Sequence, residues 1–141
     1  MSDLTSKPRR YRFPARRRLK RSWDFERVRK EGQTVRGALL TLGVLRLEGA
    51  TGFKVGIVTS RRLGGAVVRN RVRRRLREIM RRRQHEVVAG VWLVVIARPP
   101  AAGATSAMLE KEWQRLTQRA GVLADSYTRT SGENTLKQEQ D

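Results

Sequence analysis

Gly56-Ile57-Val58-Thr59-Ser60-Arg61-Arg62-Leu63-Gly64-Gly65-Ala66-Val67-Val68-Arg69-Asn70-Arg71-Val72-Arg73-Arg74-Arg75-Leu76-Arg77-Glu78 reads as strand, glycine turn and helix in succession. Upstream, Phe53, Val55 and Ile57 alternate with Lys54 and Gly56, the period of a strand. Downstream, Val72, Leu76 and Ile79 fall at i, i+4 and i+7 with Met80 beside them. That spacing draws one narrow apolar stripe for docking on a sheet. At about 100° per residue the opposite face centres on Asn70, Arg74, Arg77 and Arg81, with Arg71, Arg73, Arg75 and Arg82 on the flanks. Nine Arg stand between 69 and 83 with only Glu78 among them. Like charges at i,i+4 each cost a few tenths of a kcal/mol, and a merely solvated helix would alternate signs. The repulsion makes sense if a polyanion neutralises it, because counterion release rewards this arrangement.

Around this helix the remaining elements follow from pattern. Ser22 reads as the N-cap of a short helix that stops at Gly32. Residues 35–47 and 52–59 read as two strands joined near Glu48-Gly49-Ala50-Thr51-Gly52, a hairpin signal. Val91-Trp92-Leu93-Val94-Val95-Ile96-Ala97 is an unbroken apolar run of strand length, which implies burial on both faces. Leu109, Trp113, Leu116 and Ala120 give one face to a helix over 106–120. The chain divides into a flexible basic arm (1–21), one α/β domain (22–121) and a polar, disordered tail (122–141). In the arm, Arg9-Arg10-Tyr11-Arg12-Phe13 interleaves cations with rings.

Charge sets the class of partner. The 141 residues carry 32 basic against 13 acidic side chains, a net +19. Residues 1–83 hold 26 basic and 6 acidic groups, so the whole excess lies there. Arg outnumbers Lys 26 to 6, and its planar fork matches phosphate and stacks on bases. There is no Cys, which excludes disulfides and thiolate-held zinc. No run of 18 apolar residues occurs, and the N-terminus lacks an apolar signal core, so a cytoplasmic location is expected. The single His, His85, follows three Arg, and no cluster of carboxylates is legible, so no catalytic side chain is assigned. Thr59 to Gly65 makes an anion-binding turn plausible through Arg61, Arg62 and backbone N–H groups; it is not a Walker loop.

The quoted stretch resembles the signature of the bacterial ribonuclease P protein family: a strand, a basic pair, Gly, then Ala66-Val67-Val68-Arg69-Asn70-Arg71 opening a basic helix. The similarity extends to Arg18-Leu19-Lys20-Arg21-Ser22-Trp23-Asp24-Phe25 and to Val94-Val95-Ile96-Ala97-Arg98-Pro99-Pro100. It implies a two-layer α+β fold, ribosomal-protein-S5-domain-2-like, with a four-stranded sheet, three helices and a left-handed βαβ crossover. It implies contact of Arg61, Arg62, Arg69, Asn70, Arg71, Arg73, Arg74, Arg77 and Arg81 with the ribonuclease P catalytic RNA. It further implies a cleft for the 5′ leader of precursor tRNA, in which Phe25 matches the first aromatic. Arg29 and Gly43 stand where the family commonly has aromatics. RNA and Mg2+, bound mainly through the RNA, would perform the cleavage. A ribosomal or rRNA-chaperone protein is the alternative; it would need no cleft. A major-groove DNA reader would need more short polar readers than Asn70.

Overall fold

In a computed structural model, residues 13–124 are described. Their order is α1 (Ser22–Glu31), β1 (Gln33–Arg36), β2 (Leu40–Arg46), β3 (Phe53–Val58), α2 (Ala66–Arg83), β4 (Val91–Ala97) and α3 (Ser106–Ala120). Four strands form one sheet in the order β1-β2-β4-β3. The β1–β2 and β2–β4 pairs are antiparallel, and β3–β4 is parallel.

The hairpin expected between 35–47 and 52–59 does not form. β4 inserts between β2 and β3, and the hairpin that exists is β1–β2, folded at Gly37 within what reads as a single strand. Glu112 from α3 explains that turn. Its carboxylate accepts from Leu39 N at 2.8 Å and Leu40 N at 3.2 Å, and a Cβ on Gly37 would overlap it. Ser22 is the first helical residue rather than the cap; Arg21 holds the cap position, and no side chain caps it. For α3 the boundaries agree with the periodicity, and Thr105 Oγ1 accepts from Met108 N.

Alternation along the strands builds two apolar layers. Leu40, Leu42 and Val44 of β2, Val55 of β3, and Val91, Leu93 and Val95 of β4 face α2 and α3. They meet Val72, Leu76, Ile79 and Met80 from α2, and Leu109, Trp113 and Leu116 from α3. The other sheet face holds a smaller cluster of Leu19, Val28, Leu45 and Val94 beneath α1. β4 is thus covered on both faces, as its unbroken apolar run requires.

Backbone polarity fixes the hand of the β3–α2–β4 connection. Val55 points its side chain at α2 and its carbonyl away from β4, where it accepts from Leu19 N at 3.0 Å. The Gly52 carbonyl, in the alternate set, accepts from Gly90 N beside β4. For L residues this places β4 to the left of β3, viewed from the α2 side with β3 running upward. A path up β3, back in front through α2 and into β4 on the left is left-handed. Steric preference favours the opposite hand in all but about 2% of such units.

From residue 13 onward the expected arm is packed. Phe13 and Leu19 are buried, and Arg18 bridges Val55 in parallel. Arg9 to Arg12 and residues 125–141 lie outside the described residues. Val122 and Leu123 are buried, so the domain extends slightly past its expected end.

Candidate nucleic-acid interface

α2 displays its cations unevenly. Arg71 Nη2 donates to Ala102 O at 3.1 Å, and Arg75 Nη1 donates to Ala104 O at 2.6 Å. Arg73 donates to the Thr59 hydroxyl. These flanking guanidinia tie the helix to the turn before it and to the loop after β4. Near the C-terminal end, Arg82 and Arg83 reach Glu110 of α3 at 3.0 and 2.6 Å, and Arg83 also pairs with Glu86. Glu78 is therefore not the only acid offsetting the cluster; Glu86, just past the helix end, and Glu110, from α3, share the task.

Arg61, Arg62, Asn70, Arg74 and Arg77 are exposed, with Arg69 half-buried among them. Arg81 is held by Glu78, which keeps its pKa above the ordinary value. The expected face thus survives, while Arg71 and Arg73 act partly as internal struts. Arg69 Nε is shielded and meets no acceptor among the described residues.

Arg18 joins this surface, a position that periodicity within α2 gives no reason to expect. Its parallel bridge to Val55 brings it beside Arg77. Partial desolvation, then the charges of Arg18 and Arg73, push the Arg77 pKa down. Arg18, Arg74, Arg77 and Arg81 line a groove of about 580 Å³ with Phe13 and Pro14. A smaller recess continues from Arg18 and Arg77 past Leu19 to Phe25.

Phe25 lies on Gly56, where a Cβ would overlap its ring, and Val28 lies on Gly43. Gly56 and Gly43 flank Val94 in register, so α1 rests across that row of the sheet. On one flank of α1 a cleft of about 200 Å³ is lined by Phe25, Arg29, Thr34, Thr41, Gly43 and Ile96, among others. Enclosed small-molecule sites run to about 300–1,000 Å³, so this is a trough rather than a pocket. Gly43 floors the trough instead of adding a ring. Arg29 is exposed and paired with Glu26 at 3.0 Å. Among the described residues, Phe25 is the only aromatic side chain in its lining.

Among the described residues, no three His, Cys, Asp or Glu side chains are grouped to hold a metal ion. His85 is exposed in the turn after α2. No described helix is long and apolar enough to cross a membrane.

Glu110 gives one testable consequence. Burial pushes its carboxyl up, but hydrogen bonds from Arg83 and Arg82 outweigh this and hold its pKa below the ordinary value. A depressed folded pKa contributes stability above the ordinary carboxylate range, lost as pH falls through the folded value. Glu110→Gln is expected to cost about 1–2 kcal/mol at neutral pH. In urea titrations the gap to the parent should close as the pH drops below the ordinary carboxylate range. A gap that stays constant with pH would deny the carboxylate that role.

Comparison with known proteins agrees with this architecture. Residues 13–121 match the ribonuclease P family. The chain is 40% identical over 100 residues to the ribonuclease P protein component of Beutenbergia cavernae, covering 71% of this chain and 84% of that protein. It is 42% identical over 108 residues to that of Acidothermus cellulolyticus, covering 76% and 90%. The Staphylococcus aureus RNase P protein structure superposes with a TM-score of 0.71 at 29% identity, covering 77% of this chain and 98% of that one. An α+β fold with three helices and a four-stranded mixed sheet, a guanidinium ridge and this extent of identity together place the chain in the bacterial ribonuclease P protein family, as a protein component that partners the ribonuclease P RNA in an endoribonuclease complex.

Proposed function

We propose that this chain binds the catalytic RNA through the ridge of Arg18, Arg61, Arg62, Arg69, Asn70, Arg74, Arg77 and Arg81. Arg71 and Arg73 brace that ridge and present their remaining N–H groups. The trough beside α1 holds the 5′ leader of precursor tRNA, and the complex removes that leader by Mg2+-dependent endonucleolytic cleavage. The protein supplies no catalytic side chain. Mg2+ is bound mainly through the RNA, as the family resemblance implies. The carrying observation is the continuity of the two surfaces: the basic groove reaches Phe25 through Arg18 and Arg77. That route suits an RNA whose phosphates follow the cations and whose base stacks on the ring. A ribosomal or rRNA-chaperone role would use the ridge and leave the trough idle.

Reconstitution with the catalytic RNA at low Mg2+ tests the reading. Added protein should raise the rate of 5′ processing; no effect on cleavage, despite rRNA binding, would favour the chaperone role. Phe25→Leu keeps apolar volume and removes the flat ring. The variant should bind the catalytic RNA normally and lose about fivefold or more of its preference for precursor over mature tRNA. An unchanged preference would assign Phe25 to packing on Gly56 alone.

A further inference from the structure

α1 leaves a second flank of the sheet, opposite the trough. Beyond the row Gly56, Val94, Gly43 lies the row Lys54, Trp92, Leu45, held in register across β3, β4 and β2. Arg27 lies over the Trp92 ring at 5.7 Å, and Lys54 lies over the same ring at 6.0 Å. One helical turn before Arg27, on the same side of α1, stands Trp23, with Arg21 over its ring at 5.4 Å. Trp23 is 65% exposed, unlike Trp113, which is 2% exposed in the core.

We propose that this flank is a second stacking site for unpaired RNA, with a base on Trp23 and the adjoining phosphates on Arg21, Arg27 and Lys54. The inference rests on the RNA-binding reading above and adds a surface that the ridge and trough do not include. Two indoles, each faced by a cation, form the alternation that single-stranded nucleic acid uses: rings for bases, charges for the backbone. Two acids lie on the same side. Glu31 is bound by Arg27 at 3.2 Å, and Asp24 is half-buried. The cations still outnumber them, so the patch attracts phosphate. A protein-docking patch would call for continuous apolar surface, whereas here cations cover the rings.

The test uses the full chain and an oligoadenylate of about ten nucleotides as probe. The probe should quench tryptophan emission, with Trp113 as a shielded background. Trp23→Ala should weaken its affinity about 5- to 150-fold, the range for loss of one stacked base, and Trp23→Phe should restore most of it. Assembled complexes separate the RNA sources. A Trp23→Ala loss confined to catalytic-RNA affinity places the site on that RNA; a loss confined to precursor tRNA places it on the substrate. Unchanged affinity of Trp23→Ala for all three RNAs would overturn the proposal. So would a dimer that Trp23→Ala dissolves without changing RNA affinity. Failure of the unaltered chain to bind any catalytic RNA would instead overturn the RNA-binding reading itself.

Discussion

The double replacement Arg74→Ala, Arg77→Ala is expected to weaken binding of the catalytic RNA by roughly ten- to a hundredfold near 0.15 M salt. The slope of log affinity against log salt should fall by about two units, one per lost phosphate contact. Thermal stability of the free protein should hold or rise. Among the described residues neither side chain has a hydrogen bond or ion pair that would be lost, and Arg77 is crowded by Arg18 and Arg73. Arg71→Ala with Arg75→Ala should behave the opposite way in the free protein. Those guanidinia hold the carbonyls of Ala102 and Ala104, so the melting temperature should fall. Filter binding across a salt series and a thermal melt separate the two pairs. If both pairs lose affinity and stability together, the division between displayed and bracing arginines is wrong.

Glu112→Ala should be the most damaging single change to the fold. The carboxylate is 4% exposed and satisfies two backbone N–H groups in the β1–β2 turn, while its other oxygen pairs with Arg115. Charge-assisted hydrogen bonds contribute about 1.5–3 kcal/mol each, so losing two costs on the order of 3–6 kcal/mol. Glu112→Gln keeps an amide oxygen for the turn and should recover part of the loss. Because β1 and β2 carry Thr34 and Thr41 into the trough, partial unfolding here should reduce precursor preference before affinity for the catalytic RNA. Denaturant midpoints of the three proteins decide this; an Ala variant that unfolds with the parent would remove Glu112 as the anchor of the turn.

Local periodicity was enough to read some elements. The α3 boundaries, the buried stripe of Val72, Leu76, Ile79 and Met80, and the doubly covered β4 all follow from spacing that packing then obeys. Strand order was not readable in this way. The Glu48 to Gly52 turn signal is real, but the unbroken apolar β4 pairs with β2 on one side and β3 on the other, and that tertiary pairing overrides the local hairpin. The turn at Gly37 depends on Glu112, 75 positions away. The hand of the crossover came from family resemblance against the steric rule, and the carbonyl direction of Val55 agrees with the resemblance.

The candidate site was legible as a face and illegible as a set of free cations. Periodicity puts Arg71, Arg73 and Arg75 on the flanks of α2, but the carbonyls and hydroxyl that claim them come from other segments. Arg18 enters only because its segment runs beside β3. Trp23 carries no periodic signal of its own, because its exposure depends on how α1 crosses the sheet.

The segment at Arg18 and Leu19 also guards against self-association. β3 is an outermost strand, and outermost strands recruit other chains through unspent backbone groups. Leu19 spends the carbonyl of Val55 within the same molecule, and Arg18 puts a positive charge beside it. On the far side of the sheet β1 is only four residues long, too short to template much pairing. The chain is thereby kept from joining a second copy sheet to sheet.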